Sequence, residues 1–117
     1  MTKELTIGGK TINFTANGAT CLFYKQFFKK DLLKEITTNG DEMTIASEAI
    51  PELAFIMAKQ ADKADLMNMS FDKYIEWLEL FNPFDLALCG NDIFMVYVAD
   101  AVPTEEPKKK GKGKAKE

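Results

Sequence analysis

The chain has 117 residues, 46% of them apolar, with nine phenylalanines and a formal charge of −3, which suits one small domain with a core of its own. It contains no histidine and no arginine, so the commonest general base and metal ligand is missing, as is the bidentate fork favoured for phosphate and base edges. Residues 1–102 carry nine lysines against fifteen Asp and Glu, a net of −6, while residues 103–117 carry six lysines against three Glu, a net of +3; an acidic body argues against a general nucleic-acid surface.

Residues 4–15 alternate apolar and polar positions on both sides of Gly8-Gly9. Gly-Gly supplies the positive φ angles of a two-residue turn, so the pattern predicts a hairpin with Leu5, Ile7, Ile12 and Phe14 on one face. A lone hairpin is marginal in water and must pack on something. A helix is predicted over residues 20–37, because Tyr24, Phe28, Leu32 and Ile36 recur at helical spacing. Leu22, Phe23, Phe27 and Leu33 widen that stripe, and Lys25, Lys29, Lys30 and Lys34 take the remaining surface. Asn39-Gly40 reads as the stop.

A second helix is predicted over residues 48–62. Pro51 is tolerable only near a first turn, which places the regular part from about Ile50. Leu53, Phe55, Ile56, Met57 and Ala58 make it apolar on much of its circumference, the mark of a central helix. A third is predicted over residues 70–81, with Ser70 as cap. Phe71, Tyr74, Ile75, Leu78 and Phe81 form its stripe, with Trp77 and Leu80 at the edge. Asn82-Pro83 breaks it. Residues 84–100, apolar in patches and interrupted at Gly90-Asn91-Asp92, read as one or two short helices, although IFMVYV alone has strand character.

The expected fold is therefore α+β and mainly α: a single domain over residues 1–102, its N-terminal hairpin packed on three to five helices. Residues 103–117 hold nothing to bury and are expected to be a disordered basic tail. With no signal peptide or long apolar run, the chain reads as soluble and intracellular. Cys21 and Cys89 read as reduced, buried core residues in that setting, with a disulfide between them as the minority reading.

Catalytic and ligand-binding motifs are missing. Two cysteines cannot make a structural zinc site, Gly8-Gly9 sits at a hairpin tip, and the GKGK of the tail lacks a phosphate loop's context. The expectation is a protein that is not an enzyme and needs no cofactor or metal. Seven apolar positions among residues 71–81 exceed what one packed helix face needs, and five methionines from Met43 to Met95 add adaptable apolar surface.

Several segments, in order, resemble one family: the hairpin with L-T-I-x-G-K, then F-x-K-D-L-L at residues 28–33, L-A-x-I-M-A-K-Q-A-D at residues 53–62 and S-F-D-x-Y-x-x-W-L-x-x-F at residues 70–81. Over about residues 3–100 the chain resembles the tail assembly chaperones of long-tailed phages, and prophages, of Gram-positive hosts. Lys30 stands where that pattern often has arginine. The resemblance implies a host-cytoplasmic protein, absent from the finished virion, that coats the hydrophobic helical tape-measure protein and keeps it soluble while the tail tube is built. It also implies self-association. A longer frameshifted product, reaching the tail tube protein, fits the A- and G-rich codons that Lys-Lys-Lys-Gly-Lys-Gly-Lys would need. Stripe geometry and family role together point to Phe71, Tyr74, Trp77, Leu78, Phe81, Phe27 and Phe28 as partner-binding residues. Two rival readings stand beside this one. In the first, a small regulator contacts nucleic acid through its basic tail, against which weigh the acidic body and the lack of arginine. In the second, the chain is a minor structural component of the tail.

Overall fold

The computed structural model describes residues 2–101, and the basic tail expected at 103–117 lies outside them. Strands β1 (Thr2–Ile7) and β2 (Lys10–Thr15) form the expected antiparallel hairpin, with Leu5 opposite Ile12 and Ile7 opposite Lys10. Gly8 and Gly9 take φ values of 58° and 83°, the two successive positive angles of a type I′ turn. Ile7 and Phe14 are fully buried, and Leu5 and Ile12 pack against the core. The tip of this hairpin is tightly seated: a Cβ on Gly8 would lie 2.5 Å from Asp85 Oδ2.

Helix α1 (Thr20–Phe28) is shorter than the predicted 20–37. Lys29 closes it in the left-handed region, at φ 60°, while its amide still donates to the Lys25 carbonyl. The Asp31 carboxylate then accepts from the Leu33 amide at 3.0 Å, offering the backbone a local partner that competes with the helix ladder. A 3-10 turn over Leu32–Glu35 follows, and it leaves Leu32 fully buried and Leu33 exposed.

Asn39-Gly40 is not a helix stop but a hairpin turn. Strands β3 (Ile36–Asn39) and β4 (Glu42–Ile45) pair antiparallel, with Asn39 opposite Glu42 and Gly40-Asp41 as the loop. Gly40 alone has a positive φ, 66°, as a type II′ turn requires. The β-branched Ile36, Thr37, Thr38, Thr44 and Ile45 suit the pleated strands.

Helix α2 (Ala49–Ala61) is the centre of the fold. Its six residues from Leu53 to Ala58 are all buried, so it is covered all round. It contacts β2, α1, α3 (Asp72–Leu78), α4 (Pro83–Leu88) and α5 (Gly90–Ala101). Pro51 falls in its first turn, where the amide it lacks would have no helical partner.

Helix α3 is shorter than residues 70–81, and no side chain caps it; Ser70 contributes only its carbonyl, to the Lys73 amide at 3.1 Å. Beyond Leu78 the chain tightens, with Leu80 donating to Trp77 and Phe81 to Leu78, each at 3.1 Å. That last turn carries Phe81 round to Asn82, whose side chain caps α4 by accepting from the Phe84 amide at 2.8 Å, with Pro83 in the first turn. Residues 84–100 thus resolve into the C-terminal part of α4 and most of α5, divided at Cys89, and IFMVYV is helical. A Cβ on Gly90 would lie 2.9 Å from Ile50 Cδ1, so α5 starts close against α2.

The two cysteines are free thiols, but they are half-buried at the margin of the core instead of inside it. Each reaches a polar atom there: Cys21 Sγ lies 3.0 Å from the Tyr97 hydroxyl, and Cys89 Sγ donates to the Thr6 carbonyl at 3.8 Å.

Candidate partner-binding groove

Six of the seven residues picked out from the sequence come together through one ring cluster centred on Phe55 of α2, and the seventh, Leu78, packs against the same core. Phe27 lies 5.1 Å from Phe55 and 6.0 Å from Phe71, with which it stacks. Phe28 meets Tyr74 edge-on at 4.9 Å, and Tyr74 and Trp77 reach Phe55 at 5.2 and 5.7 Å. Trp77 then contacts Phe81 at 4.8 Å. Such pairs contribute about 0.5–1.5 kcal/mol each beyond the area they bury.

Within that cluster the residues have different standing. Tyr74 and Trp77 are each 7% exposed and belong to the core. Phe27, Phe28, Leu78 and Phe81 are half-buried against it, and Phe71 is 53% exposed. Tyr74 and Trp77 support the face, Phe27 and Phe28 back it, and Phe71, Leu78 and Phe81 reach its surface.

Leu78 and Phe81 form one wall of an open cavity of about 410 Å³. The start of α2 supplies a second wall, with Ser47 just before it and Ile50 and Pro51 in its first turn; Pro83, Leu86 and Ala87 of α4 supply the third. Only Ser47 among these lining residues has a polar side chain. The volume falls within the roughly 300–1,000 Å³ of ligand-receiving pockets. Leu86 is the one buried residue of α4, while Phe84 and Leu88 on the same short helix are 78% and 81% exposed. Leu80 and Ile75 of the neighbouring α3 region are also about half exposed. Grouped apolar exposure of this kind marks an interaction surface more often than isolated exposed residues do.

Sequence reasoning did not find Ile50, Pro51, Pro83, Leu86 and Ala87. Their signal was weak because the cavity arises where three helix ends meet, which no single periodicity records.

Polar contacts fix the walls. Glu52, one residue after Pro51, accepts from the Tyr24 hydroxyl at 2.6 Å and pairs with Lys30 at 2.9 Å. Burial pushes the Tyr24 phenol far above its ordinary value, and the bond to Glu52 adds to the rise. Lys30's own bond to Glu52 raises its ammonium, against a smaller opposing effect of burial. At the far end of α2, the fully buried Thr20 hydroxyl donates to Gln60 at 2.7 Å and accepts from the Asn17 amide at 3.0 Å. Both networks pin α1 to α2.

Among the described residues, no group of three or more His, Cys, Asp or Glu side chains could hold a metal ion. No helix among them is long and apolar enough to cross a membrane. No family model, curated protein or solved structure matches the chain.

Proposed function

We propose that this chain is a tail assembly chaperone of a long-tailed phage or prophage, binding amphipathic helical segments of the tape-measure protein and keeping them soluble until tube subunits replace it. The supporting observation is the open apolar cavity bounded by Ile50, Pro51, Leu78, Phe81, Pro83 and Leu86. Beside it stand the exposed Phe84 and Leu88, on a body whose net charge is negative. A helix-in-groove contact needs an apolar trough and large side chains at its rim, without catalytic groups. A charged exterior keeps the complex dispersed. The resemblance of the four sequence segments supplies the identity of the partner and the host-cytoplasmic setting.

The binding residues in this reading are Leu78, Phe81 and Phe71 on the α3 side and Phe84 and Leu88 on α4. Tyr74 and Trp77 hold the face in place, and Phe27 and Phe28 back it. Co-expression with segments of the tape-measure protein encoded nearby should bring those segments into the soluble fraction, and purified virions should lack the chain. Segments that stay insoluble, or a stoichiometric presence in virions, would overturn the reading. The same gene carries a second test: a slippery heptamer within the A- and G-rich lysine and glycine codons, with an overlapping downstream frame, is expected for the longer product.

A further inference from the structure

Phe81 is shared by two cavities. On its other side lies a second opening of about 370 Å³, bounded by Lys10 and Ile12 of the first hairpin, Lys59 of α2 and Asp62 just after it, and Trp77 and Leu80. Its lining mixes the apolar Ile12, Ala58, Trp77, Leu80 and Phe81 with the polar Thr11 and Asn13 and three charged side chains. Two lysines against one aspartate leave it locally cationic on a body of net −6. Among the described residues the close ion pairs are Lys30–Glu52 and Lys73–Glu76, so neither Lys10 nor Lys59 has a carboxylate within pairing distance. Lys59 is held by packing instead, its Nζ lying 5.8 Å from the centre of the Phe55 ring.

The two cavities are set along α2. Pro51 lines the first, and Ala58 and Lys59 line the second, seven and eight residues further on. At a rise of 1.5 Å per residue that offset is about 10–12 Å. Seven residues also complete nearly two turns, so Pro51 and Ala58 lie on one stripe of the helix.

We infer that the groove selects its partner by a two-point pattern: a helix placing a large apolar side chain in the first cavity and, seven or eight residues away, a carboxylate between Lys10 and Lys59. This rests on the reading of the first cavity as a helix-docking site and names the chemistry that site selects. The general field of the acidic body favours cationic segments, so a preference for an acidic one must come from these two lysines.

The test uses the full chain and designed helical peptides of about 20 residues without tryptophan, so that Trp77 fluorescence reports binding. All carry the same Leu/Phe face; they differ only at the position seven or eight residues from the central Phe, which is Glu, Gln or Lys. The Glu peptide should bind about fivefold tighter than the Gln peptide at low salt, the scale of two partly exposed ion pairs. The Lys peptide should bind weakest. The preference should vanish in a Lys10→Gln/Lys59→Gln variant whose circular dichroism and urea midpoint match the parent. Equal binding of Glu and Gln peptides, or a preference that survives in the double variant, overturns the two-point pattern and leaves the apolar docking site standing. Loss of all peptide binding in Leu78→Ser/Phe81→Ser supports the docking site separately. Failure of every peptide to bind the parent chain overturns both.

Discussion

Replacing Gly8 with alanine should destabilise the protein by about 2–4 kcal/mol, several times the effect of the same change at Gly9. Both glycines have positive φ, at 58° and 83°, where an L-residue costs about 1–2 kcal/mol, partly offset by the smaller entropy of the unfolded chain. That shared contribution is all Gly9→Ala should show, because nothing lies within 4 Å of its added Cβ. The Gly8 Cβ would instead sit 2.5 Å from Asp85 Oδ2 and 3.1 Å from Asp85 Cγ. Relieving the contact makes the Asp85 carboxylate turn out of its place beside the hairpin tip; overpacking that displaces a side chain in this way adds about 1–3 kcal/mol. Urea unfolding of the two single variants, of Asp85→Ala and of Gly8→Ala/Asp85→Ala measures each component. Removing the Asp85 carboxylate leaves only its Cβ, at 3.4 Å, an ordinary contact. The double variant should therefore recover most of the excess, a coupling of at least about 1 kcal/mol. Equal costs at Gly8 and Gly9, or coupling below about 0.5 kcal/mol, would refute the seating of the hairpin tip on α4.

Trp77→Ala should cost about 3–5 kcal/mol in thermal or urea unfolding, because the ring is 7% exposed and bridges Phe55 and Phe81. Phe84→Ser and Leu88→Ser, at sites 78% and 81% exposed, should each stay within about 0.5 kcal/mol of the parent while weakening partner binding. Thr20→Val should cost about 1–3 kcal/mol, since it leaves Gln60 and the Asn17 amide without their buried partner. Tyr24, Tyr74 and Tyr97 are all raised above their ordinary value of 10.0, with burial the first cause in each. Below pH 10 both states keep these phenols protonated; above it only the unfolded chain loses the protons. Stability is thus fully present below pH 10 and should fall above it by up to about 4 kcal/mol per pH unit, three protons at about 1.4 each. Urea midpoints between pH 9 and 11 check this, and a flat profile would contradict the burial of the three rings.

The parts of the fold that were readable from the sequence are those where one local signal has one meaning. Gly8-Gly9 between alternating strands permits little but a tight hairpin, and the apolar circumference of residues 53–58 demanded the central position that α2 occupies. Asn39-Gly40 was misread because turn and helix stop use the same chemistry, a residue tolerant of positive φ. The β-branched residues on both sides held the deciding information. The end of α1 was hidden because Lys29 adopts its left-handed angle for the sake of its surroundings, not of its own propensity. Along residues 71–81 the periodicity located the helix but could not rank its apolar positions. Tyr74 and Trp77 became core while Phe71, Ile75 and Leu80 stayed about half exposed, a division set by where Phe55 and the hairpin lie.

The most direct measurement is hydrogen exchange of the chain alone and in complex with a tape-measure segment, read peptide by peptide. The account predicts slowed exchange concentrated in residues 47–51 and 78–88, the stretches that line the first cavity and carry Phe84 and Leu88. Protection confined to the β3–β4 hairpin or to the outer face of α1, with those two stretches unchanged, would contradict it.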